Sequence, residues 1–466
     1  MVRPLLVLDV VGLTPRLLRE KAPRLRALFA RGFASPMSSV LPAVTCPAQA
    51  TMLTGLLPRE HGIVGNGWYF RDLAEILFWR QSHALMAGEK VWEAARRRDP
   101  SVTCAKLFWW FNLYASADYA VTPRPFYPAD GRKIPGIYAW PPDLEADLDA
   151  RLGTFPLFRF WGPGADLVST EWIAACAKRV LERHAPTLAL VYLPHLDYDF
   201  QRHGPDDPRA LAAVEAVDRV AADLAAAWRE RGAEVVVVSE YGIGAVTGWI
   251  APNRALREAG LLRARPTPHG ELLDAGASRA FAVCDHQVAH VYVRDAADLP
   301  RARAALLALP GVERLLGEEE KRAVGLDHPR SGELVAVAAR DRWFAYPYWF
   351  DDAAAPDFAR TVDIHRKPGY DPAELFLDPK RRLVKARLAA RLLQKALGFR
   401  YLLDVVPLDP SPVRGSHGRT PDDPEEGPLY ACTAPGGAAD RVEIASVKAR
   451  ILGLLFGARG KLPGDA

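Results

Sequence analysis

Apolar residues along this chain gather into a few short, uninterrupted runs, of which Leu5–Leu8, Leu188–Leu193 and Val235–Val238 are the clearest. Runs of that length with no polar interruption predict strands buried on both faces, as in a parallel sheet covered by helices. Between the second and third runs, helical periodicity extends from about Asp207 to Arg231 and is closed by Gly232. Another helix is expected before Leu188, from about Leu167 to Arg183, stopped by Pro186. Strands alternating with helices at this spacing predict an α/β fold with a parallel-sheet core and helices on both faces. Each strand is closely followed by an acid: Asp9, Asp197 and Glu240. One acid after a strand ordinarily solvates a loop or caps a helix. Three in succession, at the strand ends where α/β sheets bind ligands, predict a metal site.

The texture changes between these elements. From Trp68 to Trp172 the chain is rich in aromatics and prolines (WYF, FWWFNLY, FYP, YAWPP, FRFW). This predicts an aromatic-rich insertion, a cap or substrate wall, over residues 68–164. A second irregular stretch, 246–379, is expected to shape the substrate site and contains the tract TVDIHRKPGYDP. Residues 1–67, 165–245 and 380–466 are expected to form the core, the last including a basic helical segment, Arg381–Leu397, and the loop GSHGRTPDDPEEGP.

Composition narrows the function less than pattern does. Of 466 residues, 60 are Lys or Arg and 56 Asp or Glu, a net charge of +4 with the basic residues spread along the chain. That distribution speaks against a nucleic-acid surface. Five cysteines with no CxxC pair argue against a disulfide framework and against a cysteine zinc site. No apolar stretch reaches the ~20 residues of a membrane span, and no signal-peptide pattern follows the N-terminus. A cytoplasmic protein is the expectation.

The stretch LPAVTCPAQATMLTG, Leu41 to Gly55, carries the most chemistry. Thr45 stands at or near a helix start, where free N–H groups and the dipole favour a phosphoryl group. A threonine there also serves as an ordinary N-cap. Its company is what a cap does not explain: Asp9 upstream, then TGLLPREHGIVGN with Asn66, and the late GSHG with His417. Together these segments resemble the nucleotide pyrophosphatase/phosphodiesterase branch of the alkaline phosphatase superfamily. The resemblance runs from Val7 to Gly418 and is most specific over residues 5–68.

The resemblance implies an alkaline-phosphatase-like fold and one or two divalent metal ions, usually zinc. Asp9 would ligate the second metal, with Thr45 as nucleophile upon it and Asn66 donating to a phosphoryl oxygen. Asp197 and His417 would ligate the first. A metal makes a threonine hydroxyl a competent nucleophile and offsets transition-state charge. At two places the chain departs from the family's pattern. Where the first metal has a histidine, this chain has Gln201; a shifted register of Asp199 and His203 would restore the spacing, leaving His203 as a replacement ligand or a surface histidine. Where the second metal has an Asp-His pair, this chain has Glu240 and Tyr241, an oxygen-rich set that suits manganese or iron. Substitute ligands could come from His286 and His290, or from Asp363 and His365, an Asp-x-His that a strand would point to one face.

The expected function is therefore a metal-dependent hydrolase of phosphate esters, of phosphodiesterase or pyrophosphatase type, working through a phospho-threonine intermediate. A sulfatase is disfavoured because Cys46 is one position out of frame and no arginine follows. The alternative is a non-catalytic relative that binds a phosphorylated metabolite or a partner.

Overall fold

Five parallel strands form the centre of the computed structural model, which describes residues 2–457. They run in the order Glu234–Val238, Leu5–Val10, Leu188–Leu193, Cys104–Leu107, Tyr119–Pro123. Antiparallel strands extend both sides: Leu429–Cys432 and Phe33–Pro36 beyond the first, Ile137–Trp140 beyond the last, giving eight in all. The three strands with uninterrupted apolar runs are adjacent at the centre. Leu5–Val10 and Leu188–Leu193 are buried along their whole length, as expected of strands covered on both faces.

Two helix layers cover the sheet. Leu167–His184 and Pro208–Arg229 pack against each other on one side. Thr45–Thr54 and Val91–Arg98 each meet the last helix, Val447–Phe456, on the other. Asp207 caps the long helix by accepting from the Arg209 N–H. That capping bond fixes its start one residue after the acid that the sequence marks.

Register sets up the site. Asp9 pairs with Tyr192 on one side and Val238 on the other, so three strands end level with one another. The helix His195–His203 begins directly beyond Leu193, and Glu240 lies two residues beyond Val238. Their acids are thereby brought to one edge.

Residues 68–164, expected as an insertion over the core, contribute three strands to the main sheet itself. These strands are four or five residues long and lie among prolines and aromatics, so no periodic signal marks them. Residues 246–379 hold a separate four-stranded antiparallel sheet, in the order Ala280–Asp285, Val288–Val293, Leu334–Ala338, Val312–Leu316. The tight hairpin at its first two strands delivers Asp285 and His286 to the main sheet's ligand edge. No helix among the described residues is long and apolar enough to cross a membrane.

Candidate active site

Thr45 is the first residue of the buried helix Thr45–Thr54; Val44 is the N-cap and no side chain caps the helix. The threonine hydroxyl is thus not consumed by capping. Its Oγ1 lies 3.1 Å from the Tyr241 hydroxyl, which in turn donates to Asp197 at 3.4 Å. With Tyr241 donating to the carboxylate, Thr45 donates to Tyr241, and a proton path runs from Thr45 to Asp197.

Asp197 is also the hub for two further groups. Gln201 Nε2 donates to its other oxygen at 2.7 Å, while Gln201 Oε1 accepts from the Tyr370 hydroxyl at 3.0 Å. His417 Nε2 stands 3.5 Å from Asp197 Oδ1. The rings behind these groups form one column. Tyr241 stacks on His417 at 3.6 Å and 7°, His417 meets His286 at 3.7 Å, and His286 stacks on Tyr370 at 3.8 Å.

On the far side of Thr45, Asp9 and Glu240 are fully buried. Gln49 Nε2 donates to one oxygen of each, at 3.1 Å to Asp9 Oδ2 and 2.6 Å to Glu240 Oε1. Gln49 Oε1 accepts from the Trp110 N–H at 2.7 Å, so the amide is fixed end to end. Burial is the main cause that lifts both acids above the ordinary carboxylate range, Asp9 to about 7 and Glu240 well above its usual value. The Tyr241 phenol is raised as well, first by burial and then by the charges of Asp197 and Glu240.

Asn66 and the acid at the hairpin complete the floor. Asn66 accepts from the Cys46 N–H at 2.9 Å, and its N–H and side-chain amide donate to Asp285 at 2.8 and 3.1 Å. One amide hydrogen remains for a ligand. Asp285 also holds His286 through Nδ1 at 2.8 Å, and its carboxyl is raised to about 6, chiefly by burial.

Of the residues singled out in the sequence, Asp9, Thr45, Asn66, Asp197, Gln201, Glu240, Tyr241 and His417 are brought together here. The others are not. His203 ends its helix beside Arg209 and Asp207. The stretch carrying Asp363 and His365 is a series of turns rather than a strand, because Pro368 and Gly369 interrupt it; both residues line the outer cavity, and Asp363 pairs with Arg366 at 3.0 Å. His290 has both ring nitrogens engaged, with Val64 and Gly332, and is structural. His286 does reach the site. Gln49, Asp285 and Tyr370 were not singled out, although Gln49 stands one helical turn after Thr45 on the same face, a readable signal.

A divalent cation is what the resemblance implies at this place, and the donor chemistry agrees with one. Asp9 Oδ1, Glu240 Oε2, His417 Nε2 and His286 Nε2 are buried without a hydrogen-bond partner. Both histidines direct Nδ1 to a carbonyl or carboxylate, the arrangement that leaves Nε2 as a lone pair. Among the described residues no Lys or Arg forms an ion pair with Asp9, Glu240, Asp197 or Asp285. A buried excess of acceptors is costly unless a cation meets it. Among the described residues no three His, Cys, Asp or Glu side chains form a group that could hold a metal, so a cation here would draw on neutral oxygens as well. Thr45 and Tyr241 stand beside Asp9 and Glu240 for that role; Gln201 stands beside Asp197 and His417.

A cavity of about 540 Å³ opens above Thr45, Asp197 and Tyr241. Trp79, Trp110 and Trp161 wall it near the floor.

Comparison with known proteins agrees with this architecture. A family model described as type I phosphodiesterase / nucleotide pyrophosphatase matches residues 5–371. An uncharacterized pyrophosphatase/phosphodiesterase of Schizosaccharomyces pombe is 25% identical over 244 residues, which cover 49% of this chain and 42% of that protein. The chain thus spans less than half the length of that curated relative. Among solved structures, murine ectonucleotide pyrophosphatase / phosphodiesterase 5 superposes with a TM-score of 0.57 at 15% identity, covering 97% of this chain and 95% of that one. Phosphonoacetate hydrolase from Sinorhizobium meliloti 1021, solved with phosphonoformate, gives a TM-score of 0.60 at 16% identity, covering 97% and 96%. At these identities the two structures share the fold.

Proposed function

Because this chain belongs to the type I phosphodiesterase / nucleotide pyrophosphatase family, we propose that it hydrolyses phosphate esters, with Thr45 as the nucleophile. The observation that carries this reading is the state of the Thr45 hydroxyl. It is free of capping, lies at the cavity floor, and is linked through Tyr241 to Asp197. Thr45 Oγ1 attacks phosphorus, the bond to the leaving alkoxide breaks, and a phospho-threonine forms; water then cleaves it to release phosphate or a phosphomonoester. The Thr45 proton leaves along Tyr241 toward Asp197. Asn66 contributes its remaining amide hydrogen to a phosphoryl oxygen.

Asp9 and Glu240, with Thr45 and Tyr241, would hold one divalent cation; Asp197, His417 and Gln201 would hold a second. Such an ion supplies charge neutralisation, making a threonine hydroxyl acidic enough to react and offsetting the phosphoryl charge. Zinc is the family's usual ion, and the oxygen-rich Asp9 side suits manganese or iron. Five buried, unpaired cysteines support a reducing compartment such as the cytoplasm.

Gln201 favours a second reading. With its amide engaged to both Asp197 and Tyr370, it closes a position that a metal-ligating histidine would keep open, as a non-catalytic binding protein would allow. Turnover of bis-p-nitrophenyl phosphate and of the monoester separates the two. Protein stripped of metal is reloaded with zinc, manganese or iron and compared with Thr45→Ala. The hydrolase reading expects turnover restored by one ion and lowered at least ~10³-fold in the variant. Turnover absent with every ion, or equal in the variant, leaves the binding reading.

A further inference from the structure

The cavity above Thr45 has a composition that the chemistry at its floor does not require. Beyond Trp79, Trp110 and Trp161 its outer wall includes Leu388 and Leu392 from the helix Val384–Ala396. The aromatic rings are turned against one another: Trp79 and Trp110 meet at 43°, Trp161 and Tyr370 at 53°, Phe160 and Tyr198 at 77°. Tilted rings of this kind make a continuous apolar wall, whereas a nucleobase needs ring faces left free for stacking.

Several charged side chains in the lining are already engaged, while Lys133 and Arg400 add positive charge to it. Asp363 pairs with Arg366, Arg159 with Asp166, and the Lys395 ammonium lies 3.7 Å over the Phe158 ring. Most of the lining is apolar, so sugar hydroxyls or base edges would be buried there with few partners, which is costly. At the mouth, residues 379–403 contain eight Lys and Arg and no Asp or Glu; Lys380, Arg381, Arg387 and Arg391 pair with the flanking Asp409, Asp378 and Asp404, and the net charge stays positive. The same segment leaves Leu393, Leu397 and Phe399 more than half exposed. A basic, apolar entrance suits an anionic amphiphile.

We propose that the substrate is a phosphate ester of a long or bulky hydrocarbon alcohol, with phosphorus at Thr45 and the hydrocarbon along the tryptophan and leucine wall. The proposal rests on the phosphate-ester reading above, and its test keeps the two separable. Binding of methyl, butyl and octyl phosphate and of AMP to Thr45→Ala protein is measured by calorimetry, so that no turnover is needed. The dissociation constant is expected to fall about tenfold for every two methylenes added until the wall is covered. Octyl phosphate is expected to bind more tightly than AMP. Leu388→Asp, on a helix with no buried residue, is expected to flatten the chain-length dependence and leave methyl phosphate unchanged. Affinity independent of chain length, tighter binding of AMP, or no binding of any of the four overturns the proposal. Chain-length dependence in a protein that turns over no ester upholds it and overturns only the hydrolase reading.

Discussion

Two clusters of buried charge lie within this molecule, and they are completed differently. At Lys367 the ammonium donates to Asp371 at 2.6 Å and to Glu374 at 2.8 Å. Glu374 also accepts from the Trp161 indole at 2.6 Å and from the Asp363 N–H at 3.0 Å. The other Asp371 oxygen accepts from the Ala373 N–H. Every carboxylate oxygen there has a partner. Burial works against the Lys367 charge, yet the two acids outweigh it and hold its pKa above the ordinary value. Around Thr45, by contrast, Asp9 and Glu240 each keep one oxygen bonded to Gln49 and one with no partner. A cluster whose partners are all internal is scaffold; a cluster with acceptors left over is built around something the chain does not itself supply.

The comparison breaks most easily at Lys367. Lys367→Met leaves two carboxylates buried with no cation, and the expected loss is about 3–5 kcal/mol of unfolding free energy. Because Glu374 anchors Trp161, the cavity wall should loosen with it. Urea unfolding checks the first effect, and Trp fluorescence of the still-folded protein the second. A loss under about 1 kcal/mol would mean that the ion cluster is not scaffold, and the contrast with the Thr45 floor would fail.

Sequence pattern reveals the two regions unequally. The central strands and the Leu167–His184 and Pro208–Arg229 helices are legible because burial on both faces leaves uninterrupted apolar runs and capped helices. Asp9, Asp197 and Glu240 are legible because they stand at or just beyond the ends of those strands, and Thr45 because its motif opens a helix. The short strands of residues 104–140 are hidden, since four or five residues among prolines carry no period. Lys367 and its acids are hidden for another reason: three charged residues within KPGYDPAEL read as an exposed loop until tertiary packing encloses them. Asp285 is similar, because a hairpin tip gives no hint that it will reach across to Asn66.

Gln49→Leu sharpens the comparison from the other side, with a smaller expected effect. It removes the donor shared by Asp9 and Glu240 and the acceptor of the Trp110 N–H, at a cost of about 1–3 kcal/mol. Its larger consequence is positional: with the two carboxylates no longer oriented, affinity for a divalent cation should fall by about 10–100-fold. Manganese titration followed by calorimetry reads this without any substrate. Unchanged affinity in a folded variant would show that Gln49 does not orient the pair.

Asp9→Asn is expected to cost least and to carry the opposite sign. Burial raises the Asp9 carboxyl from 3.8 to about 7, so between those values the folded protein holds a proton that the unfolded chain has released. The cation-free protein should therefore lose stability as pH rises through that window, in proportion to the difference in bound protons. Asparagine has no proton to lose, so in the presence of chelator the variant should match wild type within about 1 kcal/mol near pH 4 and gain on it steadily toward neutrality. Added manganese should reverse the order at neutral pH, stabilising wild type, in which a cation replaces the proton, more than the variant, which keeps only the Asp197 side. Urea midpoints at several pH values, with and without manganese, test both signs. Equal slopes for the two proteins would mean that Asp9 is neutralised by a partner within the chain, which would make the Thr45 floor as complete as the cluster at Lys367.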